Sequence, residues 1–258
     1  MKKIYDFLLV GRGIAGSLLG RSLRAGGARV GYVDAPGQTA ASSVAAGIIN
    51  PITGRRFVKS WLIDELLPQA AATYREWEEE VGEQLYFERP LYRTLFNRGD
   101  ENDWLVRAAD PAYAAYLGPV SHEPPPGYAG RVLPAYAYGR VLRAAQVRID
   151  RAVELSSRPL VEAGELHHDT FDYELLRISE DGVSYRDLRA GQLIFCEGWR
   201  NRSNPWFGHL PVRGNKGQVL LARLASESPG EILKHRVFTV PYADGNCWVG
   251  ASSENSFA

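Results

Sequence analysis

At 258 residues with 45% hydrophobic side chains, the chain is long enough to bury a substantial core, as one large domain or two smaller ones. Thirty basic residues balance thirty acidic ones, so no global field steers it toward nucleic acid or an anionic membrane, and a small neutral or zwitterionic partner stays open. Met1-Lys2-Lys3 before Phe7-Leu8-Leu9-Val10 imitates a secretory leader, but Asp6 interrupts the apolar run and Arg12 closes it, and no stretch reaches the roughly 18 apolar residues of a membrane helix.

Residues 4–10 form an apolar run of strand length, and from Ile14 to Ala25 small and apolar residues recur at helical spacing. Gly26-Gly27 stops that helix, and 28–33 reads as a second buried strand ending at Asp34. The order strand, glycine turn, helix, strand predicts a βαβ unit. Residues 61–81 read as a helix with a solvated face at Arg75, Glu76, Glu78, Glu79 and Glu80, and a first-turn or kink proline at Pro68. Residues 85–87 and 91–96 read as strands around Pro90 and open a separate sheet. The proline-rich stretch His122 to Gly127 is a surface connection, and 140–163 reads as helical, interrupted at Pro159. Strands are expected again at 165–172, 174–178, 183–185 and 192–196, the last ended by Gly198. Residues 212–223 and 235–250 are strand-rich, with Asp244-Gly245 as a hairpin signal.

The chemistry concentrates in Gly11-Arg12-Gly13-Ile14-Ala15-Gly16. A lone GxGxxG is weak in a chain with 26 glycines, and its context raises its value. Gly11 permits the tight turn out of the strand, Gly13 lets the backbone approach a diphosphate, and Gly16 lets helix and strand pack closely. The helix N-terminus then offers free N–H groups and a favourable dipole to that diphosphate. Asp34, at the end of the second strand, is placed to accept hydrogen bonds from ribose hydroxyls. This fingerprint fits FAD and NAD equally, since both carry an ADP moiety. The following small-residue segment, Ser42 to Pro51, suits close contact with phosphate and a flat ring and points to a flavin.

Other chemistries lack support. His122, His167, His168, His209 and His235 show no metal-ligand spacing with the two cysteines, and His167-His168 on a strand point to opposite faces. There is no GxSxG elbow and no GxxxxGK[ST] loop. Cys196 and Cys247 lie inside apolar strand-like segments and read as buried, reduced thiols, which fits a cytoplasmic location.

These residues resemble the glycine-oxidase and D-amino-acid-oxidase-like FAD-dependent oxidoreductases. That family shows a GxGxxG turn, an acidic residue after the second strand, and a serine followed by Ala-Ala-Gly, matched here by Gly11, Gly13, Gly16, Asp34, Ser43 and Ala45-Ala46-Gly47. Leu193 to Gly198 resembles its strand ending in Ala-Gly, with Cys196-Glu197 as a departure from small residues. Pro211 to Gln218 resembles its lysine-glycine-glutamine strand, and Val240 to Gly245 with Val249 to Ser252 its late hairpin.

The resemblance implies an α/β fold: a Rossmann-type FAD-binding domain with a parallel central sheet over 1–83 and 138–204, plus a second α+β substrate domain with a mostly antiparallel sheet over 84–137 and 205–258. It implies FAD contacts from Gly11, Gly13, Ile14, Ala15, Gly16, Asp34, Ala35, Ser42, Ser43, Ala46, Gly47, Ile48, Ile49 and Gly198, with 170–173 meeting the adenine in an unfixed register. Arg55, Lys216 and Tyr242 are candidate pocket residues, although Arg55-Arg56 read more simply as two surface cations. The implied activity is oxidation of a C–N bond in a small amine or amino acid. Alternatives are the FAD domain of tRNA wobble-uridine modification, against which the neutral charge balance argues, and a flavin-binding module without turnover. Family members continue for about a hundred residues past the late hairpin, so the chain reads as a truncated fragment. Trp248 stands where some members carry a lysine that assists reaction with O2, which favours dehydrogenase over oxidase.

Overall fold

The computed structural model describes residues 3–37, 40–212, 214–224 and 229–254. Met1, Lys2 and Arg213, on which parts of the sequence reading fall, lie outside the described residues. The chain divides into two compact units: Met1–Ala45 with Ile149–Asn215 and Asn255–Ala258, and Ala46–Arg148 with Lys216–Glu254.

The first unit opens with strand β1 (Lys3–Val10), helix α1 (Ile14–Ala25) and strand β2 (Val30–Asp34). It completes a six-stranded sheet in the order 166–168, β2, β1, 188–195, 182–185, 176–179. The first four strands pair in parallel, and the last two join as an antiparallel edge. Central parallel strands are covered on both faces and so carry continuous apolar runs. Leu8 packs on one face with Tyr5, Val33, Tyr185 and Leu188, while neighbouring Leu9 packs on the other with Val30, Tyr32, Leu160 and Leu166. Helix α1 covers the second face through Leu19 and Leu23. It stops at Gly26-Gly27, where Gly27 has φ +84° and donates its N–H to the Arg24 carbonyl. In-register pairing sets Val10 beside Val33 and Phe195, and Asp34 beside His168, so four strand ends finish together.

The second unit is built on a seven-stranded sheet in the order 219–223, 246–250, 238–241, 232–234, 91–95, 137–141, 117–121. All its pairings are antiparallel except 232–234 with 91–95. Its core joins Leu91, Leu95, Trp104, Val141, Ile232 and Val240. The helix expected over 61–81 spans Ile63–Val81, with Pro68 inside it and Leu67, Tyr74 and Trp77 on its buried face. Phe238–Pro241 and Asn246–Gly250 form the expected hairpin.

The helical reading of 140–163 is corrected by the structure. Ala137–Val141 and Ala145–Val147 are strands, and helix begins only at Ile149. Alanines that favour helix in isolation are here fully buried strand residues, and a turn at Arg143, with φ +55°, separates the two runs. The same pairings carry 137–147 into the second unit, along with 46–83, and 205–215 falls in the first, so the unit boundaries differ from those expected. Cys196 and Cys247 are free thiols, one half-buried and one buried.

Candidate functional site

Beyond the carboxyl ends of β1, β2 and the strands at 166–168 and 188–195 lies a cleft of about 440 Å³, wholly within the first unit. In doubly wound sheets this is where ligands bind, because strand order reverses there and the loops part. Gly11, Gly13, Asp34, Ala35 and Ser42 line it, as does Gly198, and Asp169 to Phe171 with Tyr173 form another wall.

The glycine turn is forced by contact. Gly11 has φ +94°, donates its N–H to the Val33 carbonyl, and has no room for a side chain, since a Cβ there would sit 2.6 Å from the Cys196 carbonyl oxygen. A Cβ on Gly16 would lie 2.1 Å from the Gly11 carbonyl oxygen, so α1 packs on the turn only because that position is glycine. Gly13 differs: its φ of −67° suits any residue, and a Cβ would come no closer than 3.1 Å, to the Ser42 hydroxyl. Packing therefore requires Gly11 and Gly16, whereas Gly13 leaves backbone open at the cleft.

Polar groups complete the cradle. Gly13 caps α1 without a side chain, and the Ser42 hydroxyl accepts the Ile14 N–H at 2.9 Å in its stead. Ala15 is exposed in that first turn, and the Ser43 hydroxyl donates to the Ala40 carbonyl at 2.8 Å. One Asp34 oxygen, Oδ1, accepts the Arg12 N–H at 2.9 Å and holds the turn against β2. The Arg12 side chain, 5% exposed, runs into the helices at 149–162, where it donates to the Val153 carbonyl and the Ser156 and Ser157 hydroxyls. Burial lowers its pKa, with the nearby Asp34 charge acting the other way.

The far wall is aromatic. Phe171 stacks on Tyr185 with centroids 4.4 Å apart and meets Phe195 edge-on at 5.7 Å. The Tyr173 hydroxyl donates to Glu197 Oε1 at 2.5 Å, and burial together with that carboxylate pushes the phenol pKa up. Asn204, 2% exposed, donates to Glu197 Oε2 at 2.8 Å while its own oxygen accepts the Trp206 and Phe207 N–H groups. The Cys196 thiol pKa is raised, chiefly by burial and also by Glu197.

Other expected site residues lie in the second unit. Gly47, with φ +68°, abuts Val147 so closely that a Cβ would overlap its carbonyl, and Ile48–Ile49 pairs with Ala145 and Gln146. The buried Ala46 carbonyl accepts the Gln146 amide at 3.3 Å. Arg55 is exposed in the turn after Ile52–Thr53, Lys216 faces Glu254 at 3.9 Å, and Tyr242 lies under the Arg148 guanidinium at 4.8 Å. The sequence reading missed Arg12 as a buried anchor and Trp199, Arg200 and Ser203 as cleft residues. A glycine ending a parallel strand, here Gly198, is the signal that flags the turn after it.

A cleft at the carboxyl ends of parallel strands, floored by a glycine turn at a helix N-terminus and edged by a strand-end carboxylate, has the architecture of a dinucleotide-binding α/β domain. The chain matches the model of the FAD dependent oxidoreductase family over residues 6–258 and belongs to that family, whose cofactor is FAD. Among solved structures it is similar to glycine oxidase from Geobacillus kaustophilus, at 19% identity and TM-score 0.75, over 99% of this chain and 73% of that one. It is also similar to iminodiacetate oxidase from Chelativorans sp. BNC1, at 21% identity and TM-score 0.70, over 97% and 72%. L-proline dehydrogenase from P. horikoshii matches at 11% identity and TM-score 0.72, over 100% and 73%. At these identities the likeness establishes the fold. The residues present suit FAD: the bare Gly13 backbone, the Ser42-capped helix end and Asp34 answer a diphosphate and ribose, and the cleft is of ligand-binding size.

Proposed function

We propose that this protein oxidises a C–N bond in a small amine or amino acid, and that the first unit's cleft holds the ADP half of FAD. The observation that carries the reading is the Gly13 backbone, left uncovered at the cleft although its conformation would admit a side chain. In this reading Gly11, Gly13 and Ser42 face the diphosphate, Ile14 and Ala15 form the helix turn beside them, Gly16 braces that turn from behind, Ser43 holds the Ala40 carbonyl, and Asp34 and Ala35 take the ribose. Gly198 borders the same cleft. Bound FAD supplies a two-electron acceptor for hydride from the carbon beside nitrogen, and the resulting imine is hydrolysed by water. The protein's part is to hold, orient and shield.

The names of the similar structures, glycine oxidase, iminodiacetate oxidase and L-proline dehydrogenase, support an amine or amino-acid substrate. Arg55, Lys216 and Tyr242 are candidates for meeting it, Lys216 and Arg55 as cations for a carboxylate. Trp248 is 8% exposed within the second unit's core and brings no charge to its strand, which supports slow reoxidation by O2. The test is anaerobic: FAD-loaded protein is mixed with a panel of amino acids, amines and non-nitrogenous hydroxy acids. Bleaching by nitrogen compounds alone supports the reading. Bleaching only by the hydroxy acids, or by nothing in the panel, defeats it.

A further inference from the structure

Five charged residues border the cleft: Arg12, Asp34, Asp169, Glu197 and Arg200. Four are engaged within the protein. Arg12 is held by Val153, Ser156 and Ser157, and Asp34 accepts the Arg12 N–H. Asp169 lies 2.6 Å from Arg186 and accepts the Tyr185 hydroxyl at 2.9 Å. Glu197 is bound on both oxygens, by Tyr173 and Asn204. Arg200 differs. It is half-buried, its guanidinium lies 4.9 Å from the Trp199 ring centroid, and no carboxylate or hydrogen-bond acceptor holds it among the described residues.

The placement of this cation is specific. It rides on the short helical turn Gly198–Ser203, fixed by its own N–H donating to the Glu197 carbonyl at 3.2 Å. That turn is adjacent to the glycine turn, since a Cβ on Gly11 would lie 3.5 Å from Glu197 Cα. The Trp199 ring carries Arg200 at 4.9 Å and Arg202 at 5.1 Å from its centroid, and a guanidinium held over an aromatic ring still has N–H groups for bidentate contact with phosphate oxygens. Neighbouring Glu197 does not compete for it, because Tyr173 and Asn204 occupy that carboxylate.

We propose that Arg200 is a diphosphate ligand of the cofactor, a fixed cation that supplements the N–H groups of the glycine turn. This rests on the reading that the cleft holds the ADP half of FAD, and the experiment separates the two. Calorimetry on the apoprotein compares ADP with adenosine, which share all but the diphosphate, for wild type, Arg200→Ala and Arg200→Lys. Arg200→Ala is expected to weaken ADP and FAD by about tenfold or more, the loss of one charge-assisted contact, and adenosine by less than about twofold. Arg200→Lys recovers part of the loss, and the dependence of ADP affinity on salt is shallower in Arg200→Ala. Unchanged ADP affinity in Arg200→Ala overturns the proposal, as does equal weakening of ADP and adenosine, which would mean that Arg200 acts only through packing on Trp199. If wild type binds FAD but neither ADP nor adenosine, the cleft reading itself falls, and the proposal with it.

Discussion

Replacing Gly13 by alanine separates what the glycine turn does for folding from what it does for the cofactor. At φ −67° and ψ −170° alanine meets no backbone strain, and its Cβ would touch only the Ser42 hydroxyl, at 3.1 Å, a side-chain atom that can give by a few tenths of an ångström. Reduced freedom of the unfolded chain favours the alanine by about 0.4–1 kcal/mol, which offsets that mild crowding. The apoprotein should therefore keep its stability to within about 1 kcal/mol. In the proposed site the added methyl would stand where the diphosphate approaches the backbone, and displacing one or two charge-assisted contacts costs about 1.5–3 kcal/mol, or roughly 10- to 100-fold in FAD affinity. Gly16→Ala provides the contrast. Its Cβ would meet the Gly11 carbonyl oxygen at 2.1 Å, so α1 must move off the turn, at a cost of about 1–3 kcal/mol in folding as well as binding. Urea denaturation of the apoprotein and FAD titration by fluorescence quenching read the two effects separately. Gly13→Ala with wild-type FAD affinity, or with a folding loss equal to that of Gly16→Ala, would refute the reasoning.

Three further outcomes follow from particular contacts. Arg12→Met should lower stability by about 2 kcal/mol in urea, because it strips donors from Val153, Ser156 and Ser157 in a buried site, and Arg12→Lys should recover only part of this, since one ammonium cannot span the three acceptors. His167 accepts or shares a proton with the Tyr5 hydroxyl at 2.9 Å, and burial, then Lys3, lower its pKa against the opposing charge of Asp187. Folding therefore favours its neutral form, so its contribution is intact above about pH 6.5, the unfolded value, and is lost as pH falls toward the lower folded value. Thermal melts should show a smaller loss between neutral and mildly acid pH in His167→Gln than in wild type; equal losses would contradict this. Glu78 Oε1 accepts the Leu85 and Tyr86 N–H groups at 2.7 and 2.6 Å, so Glu78→Ala should cost about 1–3 kcal/mol on denaturation, whereas an exposed charge such as Glu79 should cost nearly nothing.

The glycine turn, the first βαβ unit and Asp34 were legible because each is fixed by local chemistry: apolar period, positive-φ glycine, and a carboxylate at a strand end. The strands at 137–141 and 145–147 were not, because alanine-rich runs favour helix until neighbouring strands bury them, and those partners are distant in sequence. Arg12 and Arg200 drew no role of their own from the sequence, since nothing in it tells that one ends among Val153, Ser156 and Ser157 and the other over Trp199. Glu197 showed as a departure from small residues, but its bond to Tyr173 depends on the path of the 170–173 segment, whose register the sequence left open, and its bond to Asn204 on the turn Gly198–Ser203. Gly47 was assigned to cofactor contact, and the structure supplies a packing reason for it against Val147.

The central claim is that the first unit's cleft binds FAD through its ADP half. Equilibrium titration of the apoprotein with FAD, repeated with ADP and with NADH as competitors, tests it most directly. A single FAD per chain, displaced by ADP and indifferent to NADH, is the predicted result. Protein that takes up NADH but refuses FAD, or FAD that ADP fails to displace, would contradict it.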